Sequence, residues 1–117
     1  MLAIGAGRLL VGAGTLFATR PALRGLGFAE TNSSGLALAK LAGGRDLALG
    51  ALTLAVRDDP AALRAVALAG AALDGADALT FTLAIGDPET RRGGFGGLLS
   101  GGTAALAGYW AWRRLRP

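Results

Sequence analysis

Six ionisable side chains fall inside long apolar stretches of this chain: Arg8, Lys40, Arg45, Asp46, Asp74 and Asp77. Few folds accept that pattern. A charge taken out of water is costly unless it is paired or its head reaches a polar boundary. Three of the six are basic and three acidic, so the set is formally neutral. Such a balance points to pairing between neighbouring segments.

The stretches holding these charges run over about 2–19, 36–56, 61–85 and 94–112. Each approaches the ~20 residues that a helix needs to cross a ~30 Å hydrocarbon layer. Alanine and leucine dominate, and no period-two alternation argues for strands. Charged residues make up 17% of the chain and hydrophobic residues 52%, whereas soluble domains carry nearer a quarter charged. In 63–84 the ionised groups are Arg64, Asp74 and Asp77, which leaves most of a helix circumference apolar. The expected fold is all-α: a single four-helix transmembrane bundle with antiparallel neighbours. Its partner is the lipid bilayer, and its expected place is the inner (plasma) membrane.

Punctuation between the segments fits that reading. Arg20-Pro21 is expected to stop the first, Arg57-Asp58-Asp59-Pro60 the second and Gly86-Asp87-Pro88 the third. Ser33 or Ser34 is the expected N-cap of the second helix, after a polar connection that includes Arg24 and Glu30. With Arg8 inside the first apolar stretch and no basic run before it, no cleaved leader is expected. Four crossings put both termini on one side, with Arg57, Arg64, Arg113, Arg114 and Arg116. The opposite side holds Arg20, Arg24, Arg91 and Arg92, so the positive-inside bias leans towards cytoplasmic termini by one residue.

Depth counting assigns partners to the charges. Measured from the Asp58-Asp59 turn, Arg45 and Asp74 lie within ~3 Å of the same depth. Lys40 and Asp77 are level one step further, and Arg8 is level with Asp46. The expected pairs are therefore Arg8–Asp46, Arg45–Asp74 and Lys40–Asp77. The second segment carries three charges against seven leucines. Its own insertion is unfavourable by roughly 4–7 kcal/mol before any pairing. It needs its neighbours.

Small residues supply a second pattern. Gly93, Gly97, Gly101 and Ala105 recur every four residues in the last segment, a spacing that lets helix backbones approach, within the chain or in a dimer. Tyr109, Trp110 and Trp112 precede Arg113 and Arg114, the expected pattern of an anchor at the headgroup layer.

Several chemistries are excluded by residue type. There is no Cys and no His, so disulfides, thiolate zinc sites and Ser–His or Cys–His nucleophiles are ruled out. The formal charge of +4 is not gathered on a polar surface with aromatic platforms, which argues against nucleic acid. Asp74-Gly75-Ala76-Asp77-Ala78-Leu79 departs from the Asp-Gly-x-x-Ala-Arg opening of membrane phosphatidyl-alcohol transferases at the last position, where Leu79 stands in place of the arginine. A two-metal site would also need more carboxylates. Gly93-Gly94-Phe95-Gly96-Gly97 lacks the strand before it and the Lys-Ser/Thr after it that a phosphate loop requires. No cofactor, metal or catalytic constellation is expected, and the chain is read as non-enzymatic.

Gly44-Arg45-Asp46-Leu47-Ala48-Leu49-Gly50, together with Arg8 and Asp74-x-x-Asp77, resembles a group of uncharacterised small four-helix integral membrane proteins of high-GC bacteria. The resemblance implies the fold and the membrane setting and adds no chemistry. The expected role is structural or interactive, as a homo-oligomer or a subunit of a larger membrane complex with an ion-paired intramembrane core. The alternative is a minimal proton- or cation-coupled transporter, working as a homodimer through Asp74 and Asp77.

Overall fold

A computed structural model describes residues 1–29 and 31–115; Glu30 and the tail residues Arg116 and Pro117, which enter the loop and orientation readings above, lie outside the described residues. The described residues form five helices and no strand: α1 (Leu2–Phe17), α2 (Thr19–Leu26), α3 (Ser33–Ala55), α4 (Pro60–Ala84) and α5 (Arg91–Arg114). The all-helical expectation holds, with one more helix than expected.

The extra helix comes from Pro21. Helix α1 ends at Phe17, and Ala18 leaves helical geometry at φ −122°, ψ 48°. Pro21 then sits in the first turn of α2, where its missing N–H is no loss. The chain bends by 112° between α1 and α2. Gly27, at φ +102°, closes α2, its N–H donating to Arg24 O at 2.9 Å while Phe28 N donates to Leu23 O at 3.0 Å. A proline expected to stop one helix therefore also starts another.

Caps set the other boundaries. Asn32, rather than Ser33 or Ser34, caps α3: its side chain accepts from Gly35 N at 2.8 Å. Asp59 caps α4 by accepting from Ala61 N and Ala62 N, both at 3.0 Å, with Pro60 at the first helical position. Before α5, Asp87 accepts from Glu89 N and the Thr90 hydroxyl donates to Ala84 O, each at 2.8 Å, which closes the α4–α5 connection.

The helices form two antiparallel hairpins, α1 with α3 and α4 with α5, while α3 and α4, although consecutive, touch lightly. In the first hairpin, glycines meet backbone to backbone. A Cβ on Gly12 would lie 2.7 Å from Gly43 O, and one on Gly50 would lie 2.8 Å from Gly5 O. The second hairpin uses glycine on one side. Gly94 and Gly97 of α5 receive Ile85, the residue that caps α4, and the Phe81 ring of α4, and Gly101 faces the backbone at Asp74 and Ala78. Gly93 is filled by Phe28. Of the residues at four-residue spacing, Gly93 and Gly97 are thus covered by aromatic rings of this chain and Gly101 by its backbone.

Burial runs opposite to that of a water-soluble core. Asp74 and Thr53 are 4% and 2% exposed, whereas Leu10, Phe17 and Leu83 are at least three-quarters exposed. Among the described residues the buried apolar side chains are Leu63, Ala67 and Ala111, all at one end of the α4–α5 hairpin.

By length and hydropathy, α4 is the one described helix apolar enough to span a membrane by itself; α1 with α2 would pass together, but they are bent. That is fewer than the four expected spans, for identifiable reasons. Helix α1 has 16 residues. Helix α3 carries Lys40, Arg45 and Asp46, and α5 is diluted by its glycines.

Candidate functional site

Midway along the hairpins, five of the six charges come together. Arg8 of α1 donates through one amino group to Asp46 Oδ1 of α3, at 2.8 Å, and through the other to Asp74 Oδ2 of α4. Arg45 of α3 grips Asp77 of α4 with both amino groups, at 3.0 and 2.6 Å. One of those groups also stands 3.7 Å from Asp46 Oδ1, which links the two sets. Two-pronged guanidinium–carboxylate bonds of this kind are directional and strong. These bonds cross from the α1–α3 hairpin to α4, where helix packing is sparse.

The partners differ from depth counting in a systematic way. Helical side chains lean towards the N-terminus of their own helix. Arg45 on α3 therefore leans away from the α3–α4 turn and takes Asp77, the farther aspartate, not Asp74. Arg8 sits on the antiparallel α1 and leans the other way, so it takes Asp74 as well as the level Asp46. The expected Arg45–Asp74 and Lys40–Asp77 pairs are thus replaced by Arg45–Asp77 and Arg8–Asp74.

Lys40 stands outside the network. It is exposed and forms no ion pair with a described residue. Five positions separate it from Arg45, which at 100° per residue turns it about 140° away around α3. Both cannot face α4. Without Lys40 the cluster holds two guanidinium groups against three carboxylates.

The surplus has an address. Arg45 and Asp77 neutralise each other, so the excess negative charge lies on Asp46 and Asp74, which share Arg8. Their side chains are 16% and 6% exposed. Asp46 Oδ2 and Asp74 Oδ1 accept no hydrogen bond from a described residue. All five charged residues line a cavity of about 350 Å³ between the hairpins. Val11, Leu23, Leu26, Phe81 and Ala104 supply apolar wall, with Thr15 and Ser100 as neutral polar groups. Among the described residues no three acidic side chains are placed to hold a metal ion.

One residue that makes the site possible carries no functional group. A Cβ on Gly70 would fall 2.9 Å from an amino nitrogen of Arg8, so the guanidinium lies over the bare face of α4 one turn before Asp74. A glycine four residues ahead of a buried aspartate was the available sequence signal.

The aromatic cluster at the end of α5 divides. Tyr109 and Trp110 are 47% and 60% exposed, while Trp112 is partly covered by Arg64, whose guanidinium carbon lies 4.8 Å from the ring centre. Arg64 also donates to Leu115 O at 2.7 Å, and Arg114 lies 5.2 Å from the Trp110 ring. Arg113 is exposed beside them.

Comparison with protein-family models, with curated proteins and with solved structures finds no match to this chain. The functional reading therefore rests on the site itself.

Proposed function

We propose that this chain is a small, non-catalytic, multi-pass membrane protein in which α1, α3, α4 and α5 each cross the bilayer and the charge network joins the two hairpins. One observation carries the reading: many large leucine, phenylalanine and tryptophan side chains are turned outward, while the groups held inside are mostly glycine, alanine, threonine and ion-paired aspartate, with Leu63 the one large apolar side chain buried among the described residues. In water that distribution forgoes the main driving force of folding. In lipid it is the favourable arrangement, since apolar surfaces face the chains and charges pair inside. Helix α3, which carries too much charge to pass as a span by itself, would enter the bilayer with Arg45 and Asp46 already matched.

The short helix α2 fits the same setting. Arg20 and Arg24 lie on its exposed face, and the bend at Ala18 turns it away from the axis of α1. That is the arrangement of an interfacial segment beneath headgroups.

The test uses the absence of native cysteine. The untagged chain should stay in the membrane pellet after alkaline carbonate extraction. Single cysteines at Ser34 and Glu89 should react with an impermeant maleimide from one side of the membrane, and one at Asp58 from the other. Recovery as a water-soluble monomer would end the reading.

A second reading, cation- or proton-coupled transport, is favoured by a specific observation. Three carboxylates against two guanidinium groups leave the network one negative charge from neutrality. The residues concerned are Asp46 and Asp74; Asp77 is already matched by Arg45.

A further inference from the structure

We propose that the cavity between the hairpins is a binding site for an apolar organic monocation, seated on Asp46 and Asp74. The inference deepens the second reading above and rests on the same network. Three features of the cavity converge on this class of ligand.

Charge comes first. Arg8 is shared by two carboxylates, so the trio Asp46, Arg8 and Asp74, each mostly buried, carries one net negative charge. Each carboxylate spends one oxygen on Arg8, and the other oxygen accepts nothing from the described residues. A mostly buried carboxylate left half-matched favours a counter-cation. One unit of charge balances the site, and a divalent ion would leave it positive.

Wall chemistry then separates an organic cation from a metal ion. Hard metal cations take six or more oxygen ligands, or keep their waters. Here the surfaces facing the charges belong to Val11, Leu23, Phe81 and Ala104. An organic cation with spread-out charge and apolar substituents matches both sides of the cavity at once.

Size completes the match. At about 350 Å³ the cavity falls at the lower end of the ~300–1,000 Å³ range of small-molecule sites.

The experiment is equilibrium dialysis of the full chain, purified in mild non-ionic detergent, against tetraphenylphosphonium, with tetraphenylborate as an ion of the same shape and opposite charge. Saturable one-to-one uptake of the cation, and none of the anion, is expected. Asp46→Asn should weaken cation binding at least tenfold while keeping the unfolding midpoint, because Arg8–Asp74 and Arg45–Asp77 both survive and the amide oxygen can still accept from Arg8. Ala104→Phe should weaken it as much by filling the cavity with every charge intact. Equal uptake of both ions by the unaltered chain, or Asp46→Asn binding as tightly as the unaltered chain, would overturn the inference. If either variant fails to fold, the cation–anion comparison decides alone. Membrane insertion is scored separately by carbonate extraction. An inserted chain that ignores the cation defeats this inference alone, and a water-soluble chain that binds it through Asp46 defeats only the membrane reading.

Discussion

The two hairpins solve the same packing problem by different means. In α1–α3, glycine faces glycine at two levels, Gly5 with Gly50 and Gly12 with Gly43, and the Arg8–Asp46 pair lies between them. In α4–α5, glycines on α5 receive side chains from α4 and its cap, Phe81 and Ile85 among them. The first seam is therefore set by main-chain contact, which cannot yield. The second is set partly by side chains, which can rotate. A helix pair that must hold an arginine at a fixed depth gains from the rigid version, because slippage of the seam would change the depth of Arg8 relative to both of its partners. The charged site and the rigid seam thus belong to the same hairpin for a physical reason.

The most severe way to break the comparison is to remove Arg8, which serves the α1–α3 seam and also ties it to α4. Arg8→Leu leaves Asp46 and Asp74 facing each other without their shared cation. Removing one partner from a buried pair typically costs about 3–5 kcal/mol. Unfolding by SDS titration in mixed micelles, followed by Trp110 and Trp112 fluorescence, should show that loss. It should also show the α4–α5 hairpin, which contains both tryptophans, melting apart from α1–α3. A single transition with an unchanged midpoint would mean that the network does not join the hairpins.

How much of this was legible beforehand can be argued residue by residue. Residues 36–56 and 61–85 of the sequence correspond within a few residues to α3 and α4, because Asp59-Pro60 is a strong local boundary. All six charges were marked by their place in the sequence, since a charge inside an apolar run is conspicuous wherever it points, and five of them meet. Their pairing was not legible, because depth counting treats side chains as rings perpendicular to the axis and ignores their lean. Lys40 was misassigned for a related reason: depth was matched and angle around the helix was not. The glycines at 5, 12, 43 and 50 were visible at seven-residue spacing in both helices. What hid their meaning was composition: with 20 glycines in the chain, these four did not stand out from the rest.

The rigidity of the first seam can be tested within one helix turn. Gly43 and Gly44 are adjacent, yet a Cβ on Gly43 would lie 2.9 Å from Gly12 O and Leu16 N, whereas one on Gly44 would meet nothing within 4 Å. Gly43→Ala should therefore force the helices apart and cost about 1–3 kcal/mol, the usual range for overpacking. Gly44→Ala should raise stability by up to about 1 kcal/mol, since alanine exceeds glycine in helix propensity. Both values come from the same micelle titration. Equal effects at the two positions would show that α1 and α3 do not meet at Gly43. The second hairpin sharpens the contrast: Gly108→Ala, whose Cβ would lie 3.1 Å from the Ala71 side chain, should fall between the two.

The smallest expected effect distinguishes membership of the network from mere presence in an apolar segment. Lys40 shares α3 with Arg45 and Asp46, and composition gives it the same standing. Its side chain is exposed and meets no carboxylate among the described residues, so Lys40→Ala should change stability by no more than about 0.5 kcal/mol. Asp77→Ala, which strands the Arg45 guanidinium, should cost several times more, because the Arg45 Nε is already buried without an acceptor and the bidentate grip is lost as well. A Lys40→Ala penalty comparable to that of Asp77→Ala would place Lys40 back among the paired charges, restore neutrality to the cluster and remove the surplus on which cation binding depends.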